Sequence, residues 1–193
     1  RFLPELLLFL LVSSVYYASN FTVSGSAEGS HYSITRAIVE QGRFEVDSYW
    51  RDFGPGDLAA NNGHYYANRE PGIGFLCVPF YAVGLVIGKL TTPVPEDVAR
   101  HMVTVLLVSA GALGVLLLIH LMLALGVSQQ SAWVTGLVYA FATLHWKYSA
   151  HLFDHVFVEL GLLVCWYLLV TGVTLTSYSW RSALFCFVIG WLP

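Results

Sequence analysis

The stretch IGFLCVPFYAVGLVIGKL, Ile73 to Leu90, decides how this chain is folded. It is apolar enough to enter a membrane, yet a full crossing takes about 20 residues, and Pro79 and Gly84 interrupt it. If it crosses, the polar stretch before it and the later WKYSAHLFDH segment (Trp146–His155) face opposite compartments. If it only dips in, they share one face. Charge does not choose between the two. Arg1 and Arg181 fit an inside placement, GVSQQ carries no charge, and the long polar stretch is exempt from the positive-inside rule by its length.

Composition sets the frame. Hydrophobic residues make up 56% of the chain and charged ones 11%, against about 25% charged in soluble domains; mean hydropathy is +0.65. Such a chain cannot cover a water-facing surface, and the expected class is an all-α integral membrane protein, a polytopic helix bundle. A soluble enzyme is excluded. The net charge of -3 and the lack of any basic run exclude a nucleic-acid partner. Cys77, Cys165 and Cys186 lie in apolar segments, without disulfide or zinc spacing. Starting at Arg1 and stopping inside an apolar run, the sequence is expected to be the N-terminal part of a longer protein.

Outward from Ile73, spans are predicted at 2–19, 101–126, 131–149 and 153–176, with another starting at 181–193. The 101–126 span carries a small-residue patch, SAGALG, suited to close helix packing. Residues 20–72 form an ordered external cap between the first helix and the 73–90 segment. Within the cap, SAEGSHYSITRAIVEQG (Ser26–Gly42) reads as an amphipathic helix, with serines as N-cap, Ile34, Ile38 and Val39 on one side, and Gly42 as the stop. DFGPGD and NNG are turn chemistry. Asn20-Phe21-Thr22 has the glycosylation pattern but lies against the first helix.

Three clusters carry chemistry. Glu28, Tyr32, Arg36 and Glu40 recur every four residues and line one stripe. The stripe is either a solvated face with an Arg36–Glu40 pair or the seat of a general base, Glu28. HYYANREPG (His64–Gly72) is either an interfacial tyrosine belt with proline in a helix's first turn, or a site where Arg69 holds phosphate oxygens at a helix N-terminus. In HWKYSAHLFDHVFVEL, His151, Asp154, His155 and Glu159 lie close in sequence. Glu159, deep in an apolar helix, is a functional group or the partner of His155. Zinc on His151, Asp154 and His155 lacks a known ligand spacing and ranks behind Mg²⁺ or Mn²⁺ on carboxylates.

In their order and spacing, three blocks resemble the GT-C superfamily of membrane glycosyltransferases, near protein O-mannosyltransferases and lipid A aminoarabinose transferase. They are SAEGSHYSITRAIVEQGRF, NGHYYANREPGIGFLCVPFYAVG and ATLHWKYSAHLFDHVFVELGLL. The resemblance implies that 73–90 is a juxtamembrane helix that does not cross, so that cap and SAHLFDH meet on the outer face. It implies transfer of a sugar from a polyprenyl-phosphate donor to a lipid, glycan or protein acceptor, in a bacterial or archaeal plasma membrane. Glu28 would be base or metal carboxylate, with Asp154 or His155 as second catalytic group and as metal partner Asp154. Arg69 would hold the donor phosphate, with Tyr65, Tyr66, Arg36 and Lys147 around it. Two departures stand out: Ala27 where many relatives have the first member of an acidic pair, and Glu70 where the residue before proline is commonly neutral. The rival expectation is a transporter with an ion or proton path through Asp154, His155 and Glu159.

Overall fold

A computed structural model describes residues 2–20, 25–52 and 57–171. The span expected from Arg181, Cys186, the end of the sequon and the middle of DFGPGD lie outside the described residues. The described chain is mostly helical: α1 (Phe2–Ala18), α2 (Ser26–Arg36), α3 (Pro71–Thr91), α4 (Pro95–Ala124), α5 (Gln129–Ala142), α6 (Leu144–Ser149) and α7 (His155–Val170). By length and composition α3 and α4 can each cross a membrane, while α1 and α7 are apolar but shorter.

The all-α expectation needs one amendment. β1 (Leu58–Asn61) and β2 (His64–Ala67) form an antiparallel hairpin pairing Leu58 with Ala67 and Asn61 with His64. Its two-residue turn, Asn62-Gly63, takes positive φ at both positions (49° and 84°), the twist that a tight hairpin requires. The segment read as one span at 131–149 is two helices. At Thr143 the backbone is extended, and the Thr143 hydroxyl donates to the Tyr139 carbonyl and accepts from the His145 N–H, ending α5 and starting α6. The span placed at 101–126 starts earlier, since Pro95, Glu96 and Asp97 form the first turn of α4.

The chain divides into two compact units. One comprises residues 2–15, 109–149 and the described residues from 155 on. In it α4 and α5 approach closely where Gly136 meets Ile119. The other comprises 16–108 and 150–154, and holds the cap. There α2 begins at Gly25 rather than at a serine cap. The Glu28 carboxylate accepts the Gly25 N–H, while Ser26 donates its hydroxyl to Asp57. The helix widens into a π-helical turn over Ala37–Gln41 and stops at Gly42 (φ 65°), as expected. Ile34, Ala37, Val46 and Tyr49 form the cap's apolar core.

The cap is held by α3. A Cβ on Gly74 would lie 2.5 Å from Ile34 of α2; one on Gly84 or Gly88 would lie 2.5 or 2.6 Å from the α4 backbone at Ala99 or Pro95. The two later glycines, four apart, let α3 and the first turns of α4 close on each other. Gly88→Val should therefore destabilise the protein by about 1–3 kcal/mol through overpacking. Gly72→Ala, with nothing within 4 Å, should be near neutral. Thermal melts of the detergent-solubilised variants check this; equal melting would show that the close approach contributes nothing.

Candidate functional site

Residues 28–35 of α2 are buried although most are polar, so the helix is not a simple amphipathic one. A carboxylate at 3% exposure needs partners. Glu28 finds them: its Oε2 accepts the Gly25 N–H at 3.0 Å, and its Oε1 faces His151 Nδ1 at 2.8 Å. An acceptor-only carboxylate requires the proton of that contact on His151 Nδ1. That fixes the tautomer and leaves Nε2, which makes no hydrogen bond among the described residues, as the basic nitrogen.

The segment Ala150–Asp154 is tied to the cap at several points. Asn20 donates its side-chain N–H to the Ala150 carbonyl at 2.7 Å, which occupies the amide that the sequon would modify. Asp154 lies near enough to act on His31. Burial holds the His31 imidazole below its ordinary value of 6.5, with Asp154, Glu70 and Asp57 pulling it up and Arg69 pushing it down. The α2 helix, the Asp57–Glu70 stretch and the 150–154 segment thus meet within one unit.

HYYANREPG turns out to be a strand, a turn and a helix start, with Pro71 at the first position of α3. Arg69 is spent on Asp57 at 2.9 Å. Ser26 and Arg69 together hold the Asp57 carboxyl below its ordinary range. Tyr65 stacks near Trp50, and Tyr66 donates to Glu45 at 3.5 Å. Arg36 pairs with Glu40 at 3.0 Å and Asp52 at 3.3 Å, over the Tyr49 ring. Of the five expected phosphate contacts, Arg69 and Arg36 are paired with carboxylates, Tyr65 and Tyr66 lie on the hairpin, and Lys147 is exposed on α6.

Two adjoining spaces open beside the Glu28–His151 pair. A cavity of about 20 Å³ is lined by Glu28, Tyr32 and His151 with Asn20, Arg100 and Thr104. A cleft of about 390 Å³ shares Asn20, Arg100 and Thr104 with it and adds Tyr17, Asp97 and His101. Arg100 and the cleft were not foreseen, because Arg100 was left in the connector ahead of the predicted span. The "PEDVARH" run, a proline and two acids followed by two basic residues, was the available signal.

The divalent ion expected on Glu28 and Asp154 does not suit these groups. Both oxygens of Glu28 are engaged, and among the described residues no three His, Cys, Asp or Glu gather as a ligand set. Of the residues weighed for zinc, His155 opens α7, stacked on Tyr148, and His151 lies in the turn before it. Glu159 pairs not with His155 but with His145, whose Nδ1 lies 2.7 Å away, and with the Tyr139 hydroxyl. His145 Nε2 faces the Gly111 carbonyl at 3.0 Å.

A comparison with protein-family models, curated proteins and solved structures finds no match. The site is therefore judged on its geometry.

His31 gives a pH signature. Its folded pKa is depressed, so its contribution to stability is complete above pH 6.5 and declines as pH falls below that value. His64 has the opposite sign: its hydrogen bond to Asp47 raises its pKa, so its contribution stands below 6.5 and fades as pH rises. Between pH 6.5 and about 5, the melting temperature of His31→Gln should fall less steeply than wild type. An unchanged slope would show that His31 is not the responsible group.

Proposed function

We propose that this chain belongs to a membrane glycosyltransferase that moves a sugar from a polyprenyl-phosphate donor to a hydroxyl of a lipid, glycan or protein. The observation that carries the reading is the Glu28–His151 contact: a buried carboxylate fixing the tautomer of a histidine in the wall of a small cavity. In this reading Glu28 positions the imidazole, and His151 Nε2 is the base. The acceptor oxygen forms a bond to the anomeric carbon as the bond to the donor phosphate breaks. The electron pair leaves with the phosphate oxygen, the hydroxyl proton passes to Nε2, and the anomeric centre inverts. Asp154 and Arg69 hold the electrostatic surroundings of His31 and stand outside the proton transfer.

The packing of α3 supports a juxtamembrane course. Its buried side meets α2 at Gly74 and the charged start of α4 at Gly84 and Gly88. Tyr81, in its middle, donates to Glu40 at 2.5 Å and meets Tyr32 edge-on. A crossing α3 would carry the Arg36–Glu40 pair, bonded to Tyr81 in its middle, toward mid-membrane depth, where even paired charges are costly. Lying at the surface, the helix keeps these groups near water, on the face expected to meet the lipid phosphate. A multi-pass bundle in a plasma membrane follows from this reading.

The rival is proton or ion transport. The observation on its side is the network in which buried His145 meets half-buried Glu159, itself bonded to Tyr139.

Full-length protein in lipid nanodiscs, given a panel of farnesyl-phosphate-linked hexoses and pentoses, would release lipid phosphate. Glu28→Gln and His151→Asn should each lower that release by roughly 10²–10⁴-fold with melting temperatures retained. Wild-type rates in both variants would remove the proposed base, and proton uptake abolished by His145→Gln alone would favour the transporter.

A further inference from the structure

His151 lines the cavity of about 20 Å³, whereas the described wall of the 390 Å³ cleft is made by Tyr17, Asn20, Asp97, Arg100, His101 and Thr104. Asn20, Arg100 and Thr104 stand in both spaces, so the imidazole is separated from the cleft by the width of the cavity. A space of that size excludes a sugar ring but suits one water, which needs about 10–15 Å³ and two to four polar partners. The wall supplies them, all from the unit that holds the cap. Arg100 Nε is buried without a hydrogen-bond partner among the described residues, so its N–H wants an acceptor. The guanidinium carbon lies 5.9 Å from the centre of the Tyr32 ring, a contact that leaves this proton unspent. With its Nδ1 proton given to Glu28, His151 keeps at Nε2 only a lone pair. Thr104 donates its hydroxyl to the Arg100 carbonyl at 3.2 Å, and Asn20 donates its amide N–H to the Ala150 carbonyl. Each of these two therefore offers a third group an oxygen lone pair.

We infer that the cavity binds one water, and that this water relays the proton of an acceptor hydroxyl in the cleft to His151. The water accepts from Arg100 Nε–H, donates one proton to His151 Nε2 and the other to the oxygen of Asn20 or Thr104. Its remaining lone pair is left for the acceptor hydroxyl. As the acceptor oxygen bonds to the anomeric carbon, its O–H bond breaks and that proton joins the water oxygen. In the same step the water's own proton passes to Nε2, so the water is restored and none is consumed. Glu28, on the opposite nitrogen, offsets the charge that arrives on the ring. The relay rests on the transferase reading; the water site stands on the cavity itself.

Val103 supplies the test, because it is buried and lines the cavity but lies outside the described wall of the cleft. Val103→Ile adds one methylene, roughly the volume that a water takes up, about 30 Å³. A structure of the full-length protein in lipid nanodiscs, at a resolution that shows waters, is the first arm. Density within hydrogen-bond distance of both Arg100 Nε and His151 Nε2 is expected, and its absence overturns the site. The second arm is the rate of sugar transfer. Val103→Ile should lower it by about tenfold or more with the melting temperature retained, while Val103→Ala, which leaves room for the water, stays near wild type. Equal rates in Val103→Ile and wild type overturn the relay. In mixtures of H₂O and D₂O the wild-type rate should follow a bowed line, since two protons move in one step; a straight line also overturns the relay. If Val103→Ile fails to fold, the structure and the isotope curve decide alone. A wild type that transfers sugar from no donor removes the transferase reading and the relay with it, and the density then decides the water site by itself.

Discussion

A carboxylate that has left water sets the terms for the rest of this unit. Stranding a charge in a protein interior costs several kcal/mol unless it is paired and hydrogen-bonded. Glu28 meets that cost with one near partner and one remote one. Gly25 is three residues away and adds little constraint beyond starting the helix. His151 lies far along the chain, and its bond to Glu28 obliges the Ala150–Asp154 turn to sit on α2. Asn20 can then reach the Ala150 carbonyl, and Asp154 can act on His31.

The same logic explains why a helix spelled Ser-Ala-Glu-Gly-Ser-His-Tyr-Ser can be buried. Several polar side chains that face inward find a group that needs them. Ser30 donates to the Asp57 carbonyl, and Thr35 donates to the carbonyls of His31 and Gly74. Buried polar groups are tolerated when hydrogen-bonded. The small side chains let neighbouring backbones come close enough to be those partners. Apolar contact comes from Tyr32 against Tyr81 and from the end of the helix, where Ile34 and Ala37 join Val46 and Tyr49.

Much of this was legible in the residues. The cap helix, its stop at Gly42, Pro71 at a helix start, the apolar helices and the Arg36–Glu40 pair all follow from local spacing. The hairpin was less visible because its strands have four residues each, too few for alternation to register, although Asn62-Gly63 was the right turn signal. What spacing could not show was pairing across the chain. Arg69 looked available because Asp57, its partner, sits beyond a turn and a strand. His151 looked like a member of a His-Asp-His cluster because the three lie close in sequence; the turn at 150–154 sends His151 to Glu28 and leaves His155 to α7. Glu159 was given to His155 by i,i+4 proximity, whereas the break at Thr143 presents His145 instead.

The position of Arg100 follows from α3 more than from its own helix. Gly84 and Gly88 allow the first turns of α4 to lie against α3 at backbone distance, while Gly74 seats the same helix on α2. Tyr32 fills the angle between them, edge-on to Tyr81 and beneath the Arg100 guanidinium. A bulkier residue at either later glycine would move Arg100 away from the wall it shares with Glu28 and His151. Arg100 and His151 are thus carried by different elements, and α3, which lends no side chain to the lining of either space, fixes the distance between them. Such a division makes the helix packing as important to the geometry of the cavity wall as the polar residues themselves.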